Sequence, residues 1–450
     1  MKRYTQLIKA MCVLLLLGSL GIDTASAQNP LIRDQFSADP TARVFGDRIY
    51  LYPSHDILAT PGHGKPGWFC MQDYHVFSSS NLTNWKDWGV ILTQQAAPWV
   101  DSTSYSMWAP DCVEVGGKYY FYFPANVNEA SGKGFGIGVA VSDRPYGPFV
   151  PRKRPIEGVH GIDPNVFIDK DGQAYLYWAQ GEIYVAKLKT NMVELASAPK
   201  VIENLPAKGL KEGPFVFERN GLYYLSYPHV ADKTEQLEYA VSTSPMGPFK
   251  VTGVIMDASP ACWTNHQSIV QYKGQWYLFY HHNDYSPGFD KARSVRADRL
   301  FFNADGTIKK VVPTLRGIGV SSADSKIQVD RYSAISHSGV TTGFLDSTQT
   351  FKGWQVTLNK PGAFVQYNWV DFASGSLKHV KARVRSKTGG RLSVHLDALT
   401  GPIIAQLEVP RSSDWKELTV KMLQSVSKRH NLYITAASKG NIQLDWIQFK

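Results

Sequence analysis

Three acids carry the chemistry this sequence could perform: Asp39 in SADPTARVF, Asp163 in GIDPNVF and Glu212 in KEGPFVF. Each has a small or rigid neighbour (Pro40, Pro164, Gly213-Pro214) that leaves its carboxylate unshielded. Two carboxylates facing across a sugar-sized gap suit glycosidic cleavage, one protonating the leaving oxygen and the other activating water. A third carboxylate close by raises the acid's pKa through like-charge proximity and keeps it protonated near neutrality. Taken singly, Asp-Pro and Glu-Gly-Pro are ordinary turn sequences. Their recurrence at matching places of an internal repeat is what turns them into a candidate site.

The repeat is read from GIDPNVFIDKDGQAYLYWAQG, in which a short strand, a Lys170-Asp171-Gly172 turn and an aromatic-rich strand form a hairpin. Copies begin at Asp39-Pro40, Ala109-Pro110, Glu212-Gly213-Pro214 and Asn265-His266, so that positions 40, 110, 164, 214 and 267 correspond. A period of roughly 50 residues built from short strands is the mark of a propeller, and five copies predict five blades over 28–320. AVSDRPYGPF at 140–149 and AVSTSPMGPF at 240–249 close two blades with the same Pro-x-Gly-Pro turn. Innermost strands line a propeller's channel, so acids at their starts converge at one mouth. Blades 2 and 5 carry no acid at that place. Blade 1 holds a Gly- and Pro-rich insertion between Pro53 and His75, long enough to overhang the axis. The Gly-rich stretch 132–138 lacks a following helix and reads as a turn rather than a phosphate loop.

Residues 1–27 have the pattern of a cleaved leader: Lys2 and Arg3, an apolar run Ala10–Leu20, and Ala25-Ser26-Ala27. The run is shorter than the ~20 residues of a bilayer span, so the expectation is an exported protein, periplasmic or extracellular, without membrane insertion. Cys70, Cys112 and Cys262 remain beyond the leader, too few and too scattered for a disulfide framework or a metal knuckle. A formal net charge of +10 with no basic run longer than Arg152-Lys153-Arg154 argues against nucleic acid. The segment 314–325 reads as a linker, and 326–450 as an antiparallel β-sandwich of jelly-roll type.

The stretches SADPTARVF, WAPD (108–111), DPNVF, EGPFVF and SSSNLTNW together resemble glycoside hydrolase family 43, the five-bladed propeller glycosidases, over about residues 30–320. The resemblance implies that Asp39 is the general base, Asp163 the acid that modulates pKa and Glu212 the general acid of an inverting enzyme. It implies a cation, calcium in many relatives, held on the channel axis by His266, and a site arginine at Arg293, with Arg296 as the structural alternative. Trp68 and Trp108 are candidates to stack on a sugar face. IQVDRYSAISHSG, VQYNWVDFASG and NIQLDWIQFK resemble carbohydrate-binding module family 6. That likeness would place a structural calcium at Gln328, Asp330 and Asp445, the first two departing from the usual glutamates. Trp354, Phe364, Tyr367 and Trp369 are its candidate sugar-facing aromatics, although alternation would bury about half of them.

The expectation is a monomeric, all-β glycosidase acting on plant cell-wall polysaccharide or its oligosaccharides, with no organic cofactor. The pairing of propeller and module looks most like arabinofuranosidases that trim arabinoxylan. β-Xylosidase and exo-galactosidase are the alternatives within the family, and a sugar-binding propeller without catalysis is the alternative of another class.

Overall fold

The computed structural model describes residues 29–450; the expected leader, 1–27, lies outside the described residues. Five antiparallel sheets follow one another along the chain, each meandering outward from an inner strand. The inner strands are Ala38–Phe45, Asp111–Val115, Ile162–Ile168, Phe215–Arg219 and Ser268–Tyr272. Four blades have four strands and the fifth has three. The fifth is completed by the other end of the domain: Leu31 N–H donates to Val295 O (2.8 Å) and Ser37 N–H to Arg293 O (2.9 Å). Pairing the first described residues with the last propeller strand removes an open edge and closes the ring.

The ring is riveted at equivalent places of its inner strands. Thr41 Oγ1 donates to Pro110 O (2.7 Å), Asn165 Nδ2 to Asp111 Oδ2 (3.0 Å) and Val216 N–H to Asn165 Oδ1 (2.9 Å). Gln267 Nε2 then donates to Gly213 O (3.0 Å), and Ser268 Oγ to Pro40 O (2.6 Å). Each blade is thus tied to the next through groups buried from water, where an unmade bond is costly. Asp111 of the WAPD stretch is one of these rivets, taking Arg43 and Val166 N–H as well. The repeated Pro-x-Gly-Pro turns serve the same end farther out. Tyr52 Oη donates to Pro145 O and Tyr177 Oη to Pro245 O, both at 2.5 Å, so each turn receives a tyrosine from the blade before it.

Beyond the propeller, two six-stranded sheets pack face to face around Val365, Tyr367, Val394, Leu432, Ile434 and Leu444. The segment 314–325 is no free linker. Arg316 donates to Asn368 O (2.9 Å), and Ser321–Ser322 pairs in parallel with the sandwich strand Phe364–Asp371. An aromatic seam joins the domains: Phe36 against Phe351 (4.9 Å between centroids), and Tyr285 against both Phe351 and Trp354 (5.0 Å each). Cys70, Cys112 and Cys262 are buried free thiols. Among the described residues no helix is long and apolar enough to cross a membrane.

Candidate active site

The axial mouth of the propeller holds a pocket of about 200 Å³ lined by Asp39, Asp163, Glu212, His266, Arg293, Trp68 and Trp108. All seven residues singled out from the sequence therefore meet in one place. Phe69, Met71, Trp263, Thr264 and Asn265 complete the wall. Trp68, Phe69 and Met71 belong to the blade 1 insertion, which does reach over the axis. Phe69 stands at the centre of the aromatic wall, 5.4 Å from Trp68, 6.1 Å from Trp108 and 6.2 Å from Trp263.

The backbone explains why Glu212 stands one place earlier in its repeat than the two aspartates. Asp39 and Asp163 both have left-handed φ, 45° and 57°, directly before a proline. In blade 4 that conformation is taken by Gly213 (φ 51°). Gly accepts it without a Cβ penalty, and Asp is among the few other residues that tolerate it. The acid in blade 4 is moved to the preceding residue, outside the strand. Non-glycine residues held there mark strain that the surrounding ring must support.

Asp39 is enclosed by donors. Arg293 grips it with both terminal nitrogens (2.7 and 3.1 Å), and Ser54 Oγ donates at 2.7 Å. Arg293 is itself fixed on its other side by Asp56, through Nε and Nη2 at 2.9 Å each. Its guanidinium also lies 4.8 Å from the Phe69 ring. Burial is the largest influence on Asp39 and pushes it up, but Arg293 together with His281, His266 and the Ser54 hydrogen bond outweighs it and holds the carboxyl at about 2. Arg296, the alternative arginine, is taken by Asp284 away from the pocket acids.

Glu212 is displaced in the opposite direction. Burial raises it first, and the charge and hydrogen bond of a neighbouring Glu235 raise it further, well above the ordinary range. Burial also pushes Glu235 up to about 8. One Glu235 oxygen accepts the Asn265 N–H at 2.5 Å, and Oε1 finds no donor elsewhere. Two ionised carboxyls side by side in a buried pocket repel, which favours a proton on the pair. Asp163 is raised well above its usual value by burial first, then by Glu212 and Asp39. Its Oδ2 accepts Gly213 N–H at 2.9 Å and therefore steadies the backbone next to Glu212. One ionised and one protonated carboxyl in one pocket is the division of labour that acid–base glycoside cleavage needs.

Sequence reasoning passed over Asp56, Glu235, Phe69 and Trp263. Asp56 follows the second strand of blade 1 and Glu235 opens the third strand of blade 4, places where acids usually face solvent. Neither lies on the repeat position that exposed the other three.

His266 sits beside Asp163, its Nδ1 4.0 Å from Oδ2, and burial lowers it to about 4, so the ring is neutral. It offers one ring nitrogen to a cation and does not belong to a cluster of His, Cys, Asp or Glu ligands among the described residues. Of the residues expected to hold the sandwich calcium, Asp445 is ion-paired with Arg383, whereas Asp330 lies 3.2 Å from Arg331 Nε yet keeps both carboxylate oxygens buried without a hydrogen-bond partner. Of the expected sugar-facing aromatics, Tyr367 is in the core and donates to Val329 O. Trp354 is spent on the seam with the propeller, and Trp369 lies under the propeller's Arg299, 4.4 Å away. Phe364 is half-buried beside Tyr433. These four rings form no common cleft.

The sequence matches the model of glycosyl hydrolases family 43 over residues 27–308 and that of carbohydrate binding module (family 6) over 333–450. Xylosidase/arabinosidase 43A of Humicola insolens is 38% identical, aligning over 62% of this chain and 98% of its own. A β-xylosidase/α-arabinofuranosidase from a compost microbial metagenome, solved with xylotriose in a calcium-free form, superposes with a TM-score of 0.57 at 35% identity. That alignment covers 64% of this chain and 98% of the other. An arabinoxylan arabinofuranohydrolase of Bacillus subtilis gives a TM-score of 0.54 at 25% identity, covering 95% of this chain and 99% of its own. With this match across the propeller and its three-acid pocket, the chain belongs to glycosyl hydrolase family 43, its catalytic propeller followed by a β-sandwich of carbohydrate-binding module family 6.

Proposed function

We propose that this protein is an exported, inverting α-L-arabinofuranosidase that removes single arabinose units from arabinoxylan or its oligosaccharides. The observation that carries the reading is a pocket of about 200 Å³, room for a single sugar rather than a polymer strand, lined by Asp39 in the grip of Arg293 and by Glu212, whose carboxyl is raised by burial and by Glu235. Glu212 protonates the leaving oxygen while ionised Asp39 accepts the proton of an attacking water. Arg293 keeps Asp39 ionised, and the rings of Trp68, Phe69, Trp108 and Trp263 wall the sugar. Export rests on the leader pattern of residues 1–27. Arabinose is favoured because the Bacillus subtilis arabinofuranohydrolase matches both domains of this chain, not the propeller alone.

β-Xylosidase is the second reading, favoured by the higher identity of the propeller to proteins named for both activities. Rates on aryl α-L-arabinofuranoside and aryl β-D-xylopyranoside, with sugar analysis of digested wheat arabinoxylan, separate the two. Arabinose alone released from the polymer is the expected result; xylose as the main product would favour the second. Proton NMR of the first-formed sugar should show inverted configuration, and retention would overturn the role of Asp39. A calcium ion in the channel would meet neutral His266, and the ion would supply a fixed positive charge on the axis. Calcium titration of the His266→Ala variant tests that assignment.

A further inference from the structure

The blade 1 insertion that shapes the pocket is closed at its base by a group of residues the hydrolytic site does not use. The second strand of blade 1, Arg48–Ser54, ends just before His55, and the third, Asp73–Ser79, begins at Asp73. These strands pair Ile49 with Ser79, Tyr50 with Ser78 and Leu51 with Phe77. Continued in the same register, His55 faces Asp73, and the two do meet, His55 Nδ1 to Asp73 Oδ1 at 2.6 Å. His75 lies two residues beyond Asp73 and so shares its face of the sheet. The His55 and His75 rings are 4.9 Å apart. One ligand atom from each of His55, Asp73 and His75 lies within 4.8 Å of the others.

The surroundings order these groups as ligands. His75 Nδ1 meets both oxygens of Asp87, at 3.2 and 3.1 Å, and Asp87 Oδ1 also accepts Gly89 N–H at 2.7 Å. A carboxylate on one imidazole nitrogen fixes the tautomer and turns the other nitrogen outward with its lone pair free, as around bound zinc. Two imidazoles and one carboxylate are a borderline donor set that suits zinc-like dications and leaves a fourth position for water. Around such an ion ligand atoms sit about 3.3 Å apart, given bond lengths of roughly 2.0–2.1 Å. The three groups, within 4.8 Å of one another, have to draw closer to reach that spacing. Asp73 and Asp87 supply the negative charge.

We propose that His55, Asp73 and His75 bind a zinc-class dication that clamps the two stems of the loop 56–72. The loop carries Trp68, Phe69 and Met71 into the pocket, and its first residue, Asp56, anchors Arg293. A clamp at the stems shortens the free segment the chain must order, which lowers the entropic cost of holding the aromatic wall.

The test uses the full chain stripped by chelator and titrated with Zn²⁺, and with Co²⁺ for its visible absorption. One equivalent should bind, with the absorption of four-coordinate Co²⁺. His55→Gln and His75→Gln should each abolish that absorption, whereas His266→Ala should retain it. Asp87→Asn, an exposed change that leaves all three ligands in place, should weaken binding about 10–100-fold. Zn²⁺ should slow chymotryptic cutting after Leu58 or Trp68, both exposed in the loop, several-fold in the parent and not in His75→Gln. The site is overturned if no stoichiometric metal binds, or if binding survives both histidine substitutions. Unchanged chymotryptic cutting in the zinc-loaded parent overturns the clamp.

Discussion

Asp39 and Glu212 line one pocket from non-adjacent blades, both buried, and burial pushes both carboxyls the same way. Their neighbours decide the outcome. At Asp39 a guanidinium held by a second aspartate, joined by His281, His266 and Ser54, overrides burial and leaves the carboxyl ionised, at about 2. At Glu212 the neighbour is another glutamate, so burial and like charge add and the proton stays. The lesson is that the fold does not set acid and base by exposure. It sets them by what is brought alongside: Arg293 from just before the last strand of blade 5, and Glu235 from the start of the third strand of Glu212's own blade.

The largest effect should come from removing the proton itself. Glu212→Gln is expected to lower kcat on arabinoxylan by about 10²–10⁴-fold, and by less on aryl glycosides whose leaving groups need little protonation. Unchanged turnover on the polymer would break the comparison at its acid side. Breaking it at the base side comes next. Arg293→Lys keeps a charge but loses the two-pronged grip on Asp39 and the second one on Asp56. The misplaced base should cost on the order of 10²-fold in kcat. With less positive charge at contact distance, Asp39 must rise from about 2 toward the ordinary carboxylate range, so the acid limb of kcat/KM should move to higher pH. An acid limb that stays in place would mean that Arg293 only shapes the pocket.

How far the sequence disclosed this arrangement follows from the repeat. Asp39, Asp163 and Glu212 were legible because five copies of one hairpin can be laid over each other, and an acid before a proline stands out when other blades lack it. The offset of Glu212 was visible, but its cause was not, since it lies in the left-handed φ of Gly213. Glu235 was not legible at all. In ADKTEQLEYAVS it reads as one polar residue among several, and only the fold turns it inward against Glu212. Likewise the sandwich was legible as alternating strands, whereas the fate of its tryptophans depended on docking. Trp354 patterns like a surface residue but is taken up by the propeller seam, whereas Trp369, beside the propeller's Arg299, stays exposed.

A third substitution sharpens the acid side. Glu235→Gln removes the like charge next to Glu212 and keeps an acceptor for Asn265 N–H. Above about pH 8, where Glu235 is ionised, its charge delays the ionisation of Glu212. Without it Glu212 should lose its proton earlier, and the alkaline limb of kcat should fall by about one pH unit, which is roughly 1.4 kcal/mol of repulsion. An alkaline limb that rises or stays would show that Glu235 is a bystander.

The smallest effect is expected at Asp163, and it separates charge from positioning. Asp163 is itself raised well above its usual value, by burial first and then by Glu212 and Asp39, so its own charge is harder to form beside Glu212. It nevertheless accepts the Gly213 N–H at 2.9 Å, which fixes the peptide beside Glu212. Asn keeps that acceptor and tolerates the left-handed φ of 57° that the position demands. Asp163→Asn should therefore shift the alkaline limb downward, in the same direction as Glu235→Gln but by less, with the fold intact. Asp163→Ala loses the acceptor and must strain at that φ, so it should lower kcat at every pH and leave the limbs where Asn puts them. A shift in Asp163→Asn larger than in Glu235→Gln would reverse the ranking and make Asp163 the charge that holds the proton on Glu212.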